Sequence, residues 1–152
     1  MRLKSINPKN NLNINYWNVP SQIEIDRIIH AVSSAQLSWQ GLILDSRIRL
    51  LTHLSAILKS QSKELSILIA DEMGKPVTQG KLEIEKCIWL CDYYNQNAAN
   101  ILCNKNIETE YFNSYVSYQP LGLVLGVMPW NFPFWQVFRF AIPSLIVGNG
   151  IL

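Results

Sequence analysis

The chain has 152 residues, 49% of them hydrophobic, with 13 basic and 11 acidic side chains and a formal net charge of +2. So apolar a composition excludes global disorder, and the near balance of charge excludes a dedicated nucleic-acid binder, which needs a basic face against phosphates. The three cysteines (Cys87, Cys91 and Cys103) are odd in number and the start MRLKSINPKNNLN has no apolar signal region, so the expected setting is the reducing cytoplasm.

In chain order, the Asn-rich stretch up to Pro20 reads as an irregular lead-in with room for one short strand. Ser21-Gln22-Ile23-Glu24 is a capping box, in which the Ser side chain accepts a free amide proton and the Glu reaches back. It opens a helix with Ile25, Ile28, Ile29, Val32 and Trp39 on one stripe, closed at Gly41. A second helix starts near Asp45 with Ile48, Leu51, Leu54 and Leu58 on one face. A third runs from about Ser62 to Met73, where Gly74 and Pro76 stop it. A fourth spans Val77 to Cys103 with Ile84, Ile88, Cys91, Ala98 and Leu102 inward.

The period then changes. Phe112, Ser114, Val116 and Tyr118 alternate with Tyr111, Asn113, Tyr115 and Ser117, the pattern of an aromatic strand. Leu121 to Met128 is a short run apolar on both faces, as a buried parallel strand is. Pro129 ends it. Asn131 then suits a helix N-cap and Pro133 a first turn. The helix reaches Val147, with Pro143 expected to bend or shorten it. Gly148-Asn149-Gly150 closes it, and Ile151-Leu152 resume a strand. Strand, helix and strand make an unfinished βαβ unit, and the whole reads as α/β class.

Two residues in this unit carry chemistry. Asn131 stands where a strand hands over to a helix, the place at which open α/β sheets bind ligands. Its carboxamide either caps the helix or donates to a developing oxyanion without ionising. Arg139 is the one charge between Pro120 and Leu152. It must pair, reach solvent or hold an anion, and its planar fork suits a carboxylate. Cys87 and Cys91 lie four apart on one helix face, but a zinc site wants four ligands, so no metal is assigned. His30 and His53 read as surface or boundary residues. The apolar tail falls short of the roughly 20 uninterrupted residues of a membrane span, because four prolines and Arg139 interrupt it.

The segment PLGLVLGVMPWNFPFWQVFRFAIPSLIVGN resembles the aldehyde dehydrogenase superfamily, as do Glu72-Met73-Gly74-Lys75-Pro76 and the Arg47 to Leu58 helix. The likeness runs through the whole chain in order, and PWNFP is its specific part. It implies an incomplete aldehyde dehydrogenase fold: N-terminal helices plus the start of a Rossmann-like parallel sheet. Residues 1–106 would be the helical part, 107–119 an oligomerisation strand and 120–152 the first βα unit of the cofactor domain. It implies that Asn131 donates to the thiohemiacetal oxygen, and that Val127, Met128, Pro129 and Trp130 line the nicotinamide-ribose side of NAD or NADP. The run FWQVFRFA is similar to the succinate-semialdehyde dehydrogenases, where Arg139 would hold the distal carboxylate. At Phe140 the chain departs from the lysine of many members.

None of the three cysteines has the context of the family nucleophile, so cysteine and glutamate are expected beyond Leu152 and the chain is expected to be inactive alone. The expected partners are a small aldehyde and either a second copy in a homo-oligomer or a complementing C-terminal chain. The alternative is a non-catalytic module that pairs with a full-length dehydrogenase through the Ile107–Tyr118 arm.

Overall fold

The computed structural model describes residues 2–152. Strands β1 (Arg2–Ile6) and β2 (Asn13–Asn18) pair antiparallel, from Arg2↔Asn18 to Ile6↔Asn13. The expected irregular lead-in is therefore a hairpin. Its asparagines build the turn: Asn7 Oδ1 accepts from Lys9 N, Asn10 Oδ1 accepts from Leu12 N, and Asn11 takes a φ of 59°.

Helix α1 (Gln22–Gln40) starts at the expected box, with Glu24 accepting from Ser21 N at 2.7 Å. Its expected buried stripe is not buried. Ile25, Ile28 and Ile29 are exposed, and Gln36 is the one buried residue of the helix. The reason is placement: α1 meets the rest of the protein through Val32, Gln36 and Trp39, near its C-terminal end.

The second and third expected helices are one, α2 (Leu44–Met73). No Gly or Pro interrupts Lys59 to Lys63, and those polar residues turn mostly outward while Leu58, Ser66 and Ile69 keep the buried stripe in phase. Gly74 ends it in the left-handed conformation at φ 75°. Helix α3 (Val77–Leu102) follows after Pro76. Strands β3 (Lys105–Asn106) and β4 (Tyr115–Val116) then form a short antiparallel hairpin. The expected longer aromatic strand is corrected to these two residues. A strand needs a ladder of partners, and the segment between them carries Tyr111 and Phe112 fully outward.

The last unit is β5 (Leu123–Val124), α4 (Pro133–Val147) and β6 (Gly150–Ile151). β5 and β6 pair parallel, Leu123↔Gly150 and Val124↔Ile151. The backbone continues the ladder to Gly126 N, which donates to Leu152 O at 2.8 Å. The expected parallel βαβ order is what forms. Helix α4 runs through Pro143 to Val147 without being shortened.

The core lies between α2, α3 and α4. Leu51, Leu58 and Ile69 meet Ile84, Cys87, Cys91 and Ala98, with Ile142 and Ile146 closing the third side. The C-terminal end of α4 is satisfied from outside itself. Asn149 N donates to Ser144 O and Gly148 N to Leu145 O, a Schellman pair around a left-handed Gly148. Side chains from other helices add donors: Trp39 Nε1 to Leu145 O at 2.8 Å, Arg47 Nε to Ile146 O at 3.0 Å and Gln36 Nε2 to Gly148 O at 2.9 Å. Buried Arg47 also donates through Nη1 to Gln40 O, at the end of α1, and to Leu42 O just beyond it. Removing it leaves the buried Ile146 carbonyl without this donor and the Gln40 and Leu42 carbonyls with one fewer, so Arg47→Ala should cost about 3 kcal/mol of stability in chemical denaturation. Arg47→Lys should recover only part of that loss, because an ammonium lacks the planar fork.

Candidate active site

The carboxyl end of β5 leads into an irregular segment, Leu125 to Pro129, then a turn at Trp130-Asn131 and the start of α4 at Pro133. Hydrogen bonding explains why the helix starts there. Pro133 has no amide proton to satisfy. The next two amides, Phe134 N and Trp135 N, both donate to Glu83 Oε1, at 2.9 and 3.0 Å. Gln136 N then finds Phe132 O at 3.1 Å and the helix is self-sustaining. Asn131 is not the N-cap: the cap position is Phe132, with no side-chain cap bond of its own. A carboxylate from α3 takes the capping role that was one of the two expected for the carboxamide.

Glu83 is itself buried. Its second oxygen, Oε2, pairs with Lys75 Nζ at 2.5 Å, and the two side chains are 2% and 8% exposed. Lys75 comes from the turn after Gly74, and its ammonium also lies 3.8 Å from the centre of the Phe132 ring. One residue turn further along α3, Lys86 covers the Trp135 ring at 4.1 Å. Three side chains of the α3 region thus hold Phe132, Phe134 and Trp135. Glu83 was not singled out from the sequence. The signal was present, because it falls four residues before Cys87 and eight before Cys91, a charge on the most apolar face of the helix.

The candidate residues fall into two places. Val127, Met128, Pro129, Trp130 and Asn131 are consecutive on one segment at the carboxyl end of β5. Val127 and Trp130 are strongly exposed, Met128 is half-buried, and Pro129 and Asn131 are exposed. Two cavities flank the segment. One, of about 460 Å³, lies between the β1–β2 hairpin, the end of α2 and Trp130, Pro133 and Phe134. The other, of about 260 Å³, is lined by Lys75, Glu83, Lys86, Phe132 and Trp135. Asn131 lines neither and is free to donate outward. Arg139 is on α4, six residues past Pro133 and so about 9 Å along the helix. It is exposed and makes no ion pair among the described residues.

Leu125, Val127 and Trp130 leave large apolar side chains exposed on this segment. The segment has no glycine-rich run of the kind that cradles a diphosphate.

The thiols are not placed for attack. Cys87 and Cys91 are wholly buried, and loss of water pushes them up to about 12 and about 11, with Glu83 and Asp92 respectively adding to the rise. Such thiols stay protonated and inert. Cys103 is exposed at the far end of α3, about 30 Å along the helix from Glu83. Among the described residues no three of His, Cys, Asp and Glu converge as a metal site, and no helix is long and apolar enough to cross a membrane. His30 and His53 are exposed.

With this geometry in view, comparison with known proteins is informative. The model of the Aldehyde dehydrogenase family matches residues 1–152. A probable succinate-semialdehyde dehydrogenase [NADP(+)] of Synechocystis is 36% identical over 98% of this chain and 33% of its own length. The succinate semialdehyde dehydrogenase [NAD(P)+] of Escherichia coli is 32% identical over 97% of this chain and 32% of its own. The chain thus spans about a third of these relatives. The crystal structure of succinic semialdehyde dehydrogenase from Streptococcus pyogenes with NADP+ superimposes with a TM-score of 0.93 at 26% identity, over 97% of this chain and 33% of that one.

The buried thiols predict an alkaline weakness. An unfolded cysteine ionises near 9, whereas the folded pair holds its protons to about 11 and about 12. The unfolded state therefore binds fewer protons in that window, and stability present below pH 9 should fall as pH rises through it. Denaturant midpoints measured from pH 8 to pH 11 should drop, and the drop should shrink in the Cys87→Ala, Cys91→Ala variant. An unchanged slope in that variant would assign the weakness elsewhere.

Proposed function

Because the chain belongs to the aldehyde dehydrogenase family, we propose that it supplies the oxyanion donor and one cofactor wall of an NAD(P)-dependent oxidation of succinate semialdehyde to succinate. The observation that carries this reading is the Asn131 carboxamide, left exposed at the carboxyl end of a parallel strand while Glu83 does the helix capping. A capping Asn would have its oxygen committed to an amide, whereas this one is uncommitted.

In this reading the carbonyl carbon of the aldehyde is attacked by a cysteine thiolate and its oxygen gains negative charge. The Asn131 NH₂ donates to that oxygen and does not change its own charge, so it can stabilise the adduct without competing for the proton. NAD(P)+ supplies the hydride acceptor. Leu125, Val127 and Trp130 would exclude water from one side of that cofactor, and the Val127 to Trp130 backbone would help to hold it. Arg139, one helical stretch away and unpaired, receives the carboxylate at the other end of the substrate. The names of the two relatives support both the substrate and NADP+ as a cofactor. Burial of Cys87 and Cys91 and the remoteness of Cys103 support a nucleophile outside the described residues. The segment 107–119, with Ile107, Tyr111, Phe112 and Tyr115 exposed, suits pairing with a second copy.

In the holoenzyme, Asn131→Ala should lower kcat by about 10²- to 10³-fold with little change in KM, read from the absorbance of the reduced cofactor. Retention of full kcat would sink the assignment. Arg139→Ala should raise KM for succinate semialdehyde by about 10-fold or more and leave a neutral aldehyde of similar length unaffected. Equal losses on the two substrates would refute the carboxylate anchor.

A further inference from the structure

The reaction above makes no use of the most buried charges in the molecule. Glu83 stands on the inward face of α3 at 4% exposure, next to Ile84 and Cys87 at zero. Taking a carboxylate and an ammonium out of water is expensive, and a well-packed apolar pair of the same size would often serve stability as well or better. Stability alone is therefore a weak reason for the pair to be there. What an apolar pair could not do is accept the amide protons of Phe134 and Trp135.

Those amides lie three and four residues past Asn131. Between them and the carboxamide stand Phe132, whose ring sits against Lys75, and Pro133, whose φ is restricted by its ring. On the other side the segment is held by Gly126 N donating to Leu152 O. Asn131 itself has no hydrogen-bond partner among the described residues. Its position is set by the two ends of its loop, and at the nearer end the two free amides of the helix start are held by one oxygen atom, Glu83 Oε1.

We propose that Glu83 is a positioning residue for Asn131: its Oε1 fixes the first turn of α4, and through Phe132 and Pro133 fixes where the carboxamide stands, while Lys75 neutralises the carboxylate so that it can be buried there. This rests on the reading of Asn131 as oxyanion donor. The group that matters is the acceptor oxygen, and the charge is only its means of being held.

The test removes charge from both partners together, so that neither is left buried alone. In the holoenzyme, Glu83→Met with Lys75→Met deletes the acceptor, whereas Glu83→Gln with Lys75→Met keeps a carbonyl oxygen for the two amides. A displacement of about 1 Å at a catalytic group can cost about 10²-fold. The Met–Met variant should therefore lose about 10²-fold in kcat with the cofactor KM nearly unchanged, and the Gln–Met variant should stay within about threefold of the parent. Adding Asn131→Ala should cost the Met–Met variant far less than it costs the parent, because a misplaced donor has little left to lose. A merely structural Glu83 predicts the opposite, an undiminished cost of Asn131→Ala in both backgrounds, and that result overturns the proposal. If the Met–Met variant does not fold, the Gln–Met variant decides: about 10²-fold loss there also overturns it. If Asn131→Ala leaves the parent's kcat unchanged, the oxyanion reading itself falls, and the proposal falls with it.

Discussion

A helix that begins inside a protein presents amide protons for which it has no acceptor of its own, and burying them unpaired costs roughly 1–3 kcal/mol each. Helix α4 begins in this way, and the constraint is met by a single oxygen of Glu83 together with a proline that has no amide proton to satisfy. A carboxylate is well suited to the task because the helix dipole favours negative charge at that end. It must nevertheless be desolvated, and the Lys75 ammonium, half cradled by the Phe132 ring, offsets that cost. The Asn131 loop, the direction of α4 and the contact between α3 and α4 all meet at this point.

The opposite end of α4 is governed by the same rule with the signs reversed. Its last carbonyls need donors, and they come from Gln36, Trp39 and Arg47 on two other helices. Asn149 then turns its side chain back to accept from Leu121 N and Gly122 N, at 2.6 and 3.1 Å. Through this chain of bonds the end of α4 sets the place of β6, and β6 sets the parallel register of β5. The loop that bears Asn131 is therefore anchored by helix caps at one end and by a parallel ladder at the other. A carboxamide without a hydrogen-bond partner can be held in place only when both ends of its loop are held.

Much apolar surface remains uncovered. The first half of α1 exposes Ile23, Ile25, Ile28 and Ile29, and the β3–β4 hairpin exposes Tyr111, Phe112 and Tyr115. Patches of this kind mark surfaces that meet other protein. They also explain why the amphipathic pattern of α1 was a sound guide to its being a helix and a poor guide to its burial. The pattern reports a face that is suited to packing, whereas burial requires something to pack against it.

Local codes were legible in the residues themselves. The Ser21–Glu24 capping box, the Gly74 stop, the parallel strand-helix-strand order and the family likeness through PWNFP were all readable, because each depends on neighbours within a few positions. The break expected within α2 and the missed β1–β2 hairpin arose where polar runs are ambiguous between loop and solvated face. Asn131 was legible as a candidate, but its freedom from capping was not. That was decided by Glu83, which is 51 residues from Phe134 and 52 from Trp135 in sequence. Nothing in local spacing tells which distant acceptor will reach a helix end, because the answer depends on how α3 crosses α4. Sequence by itself determined most of the helices, the parallel strand-helix-strand unit, the family and the candidate carboxamide. Only the tertiary structure decided which groups satisfy the ends of α4, because hydrogen bonds between distant residues exist only once the helices are packed.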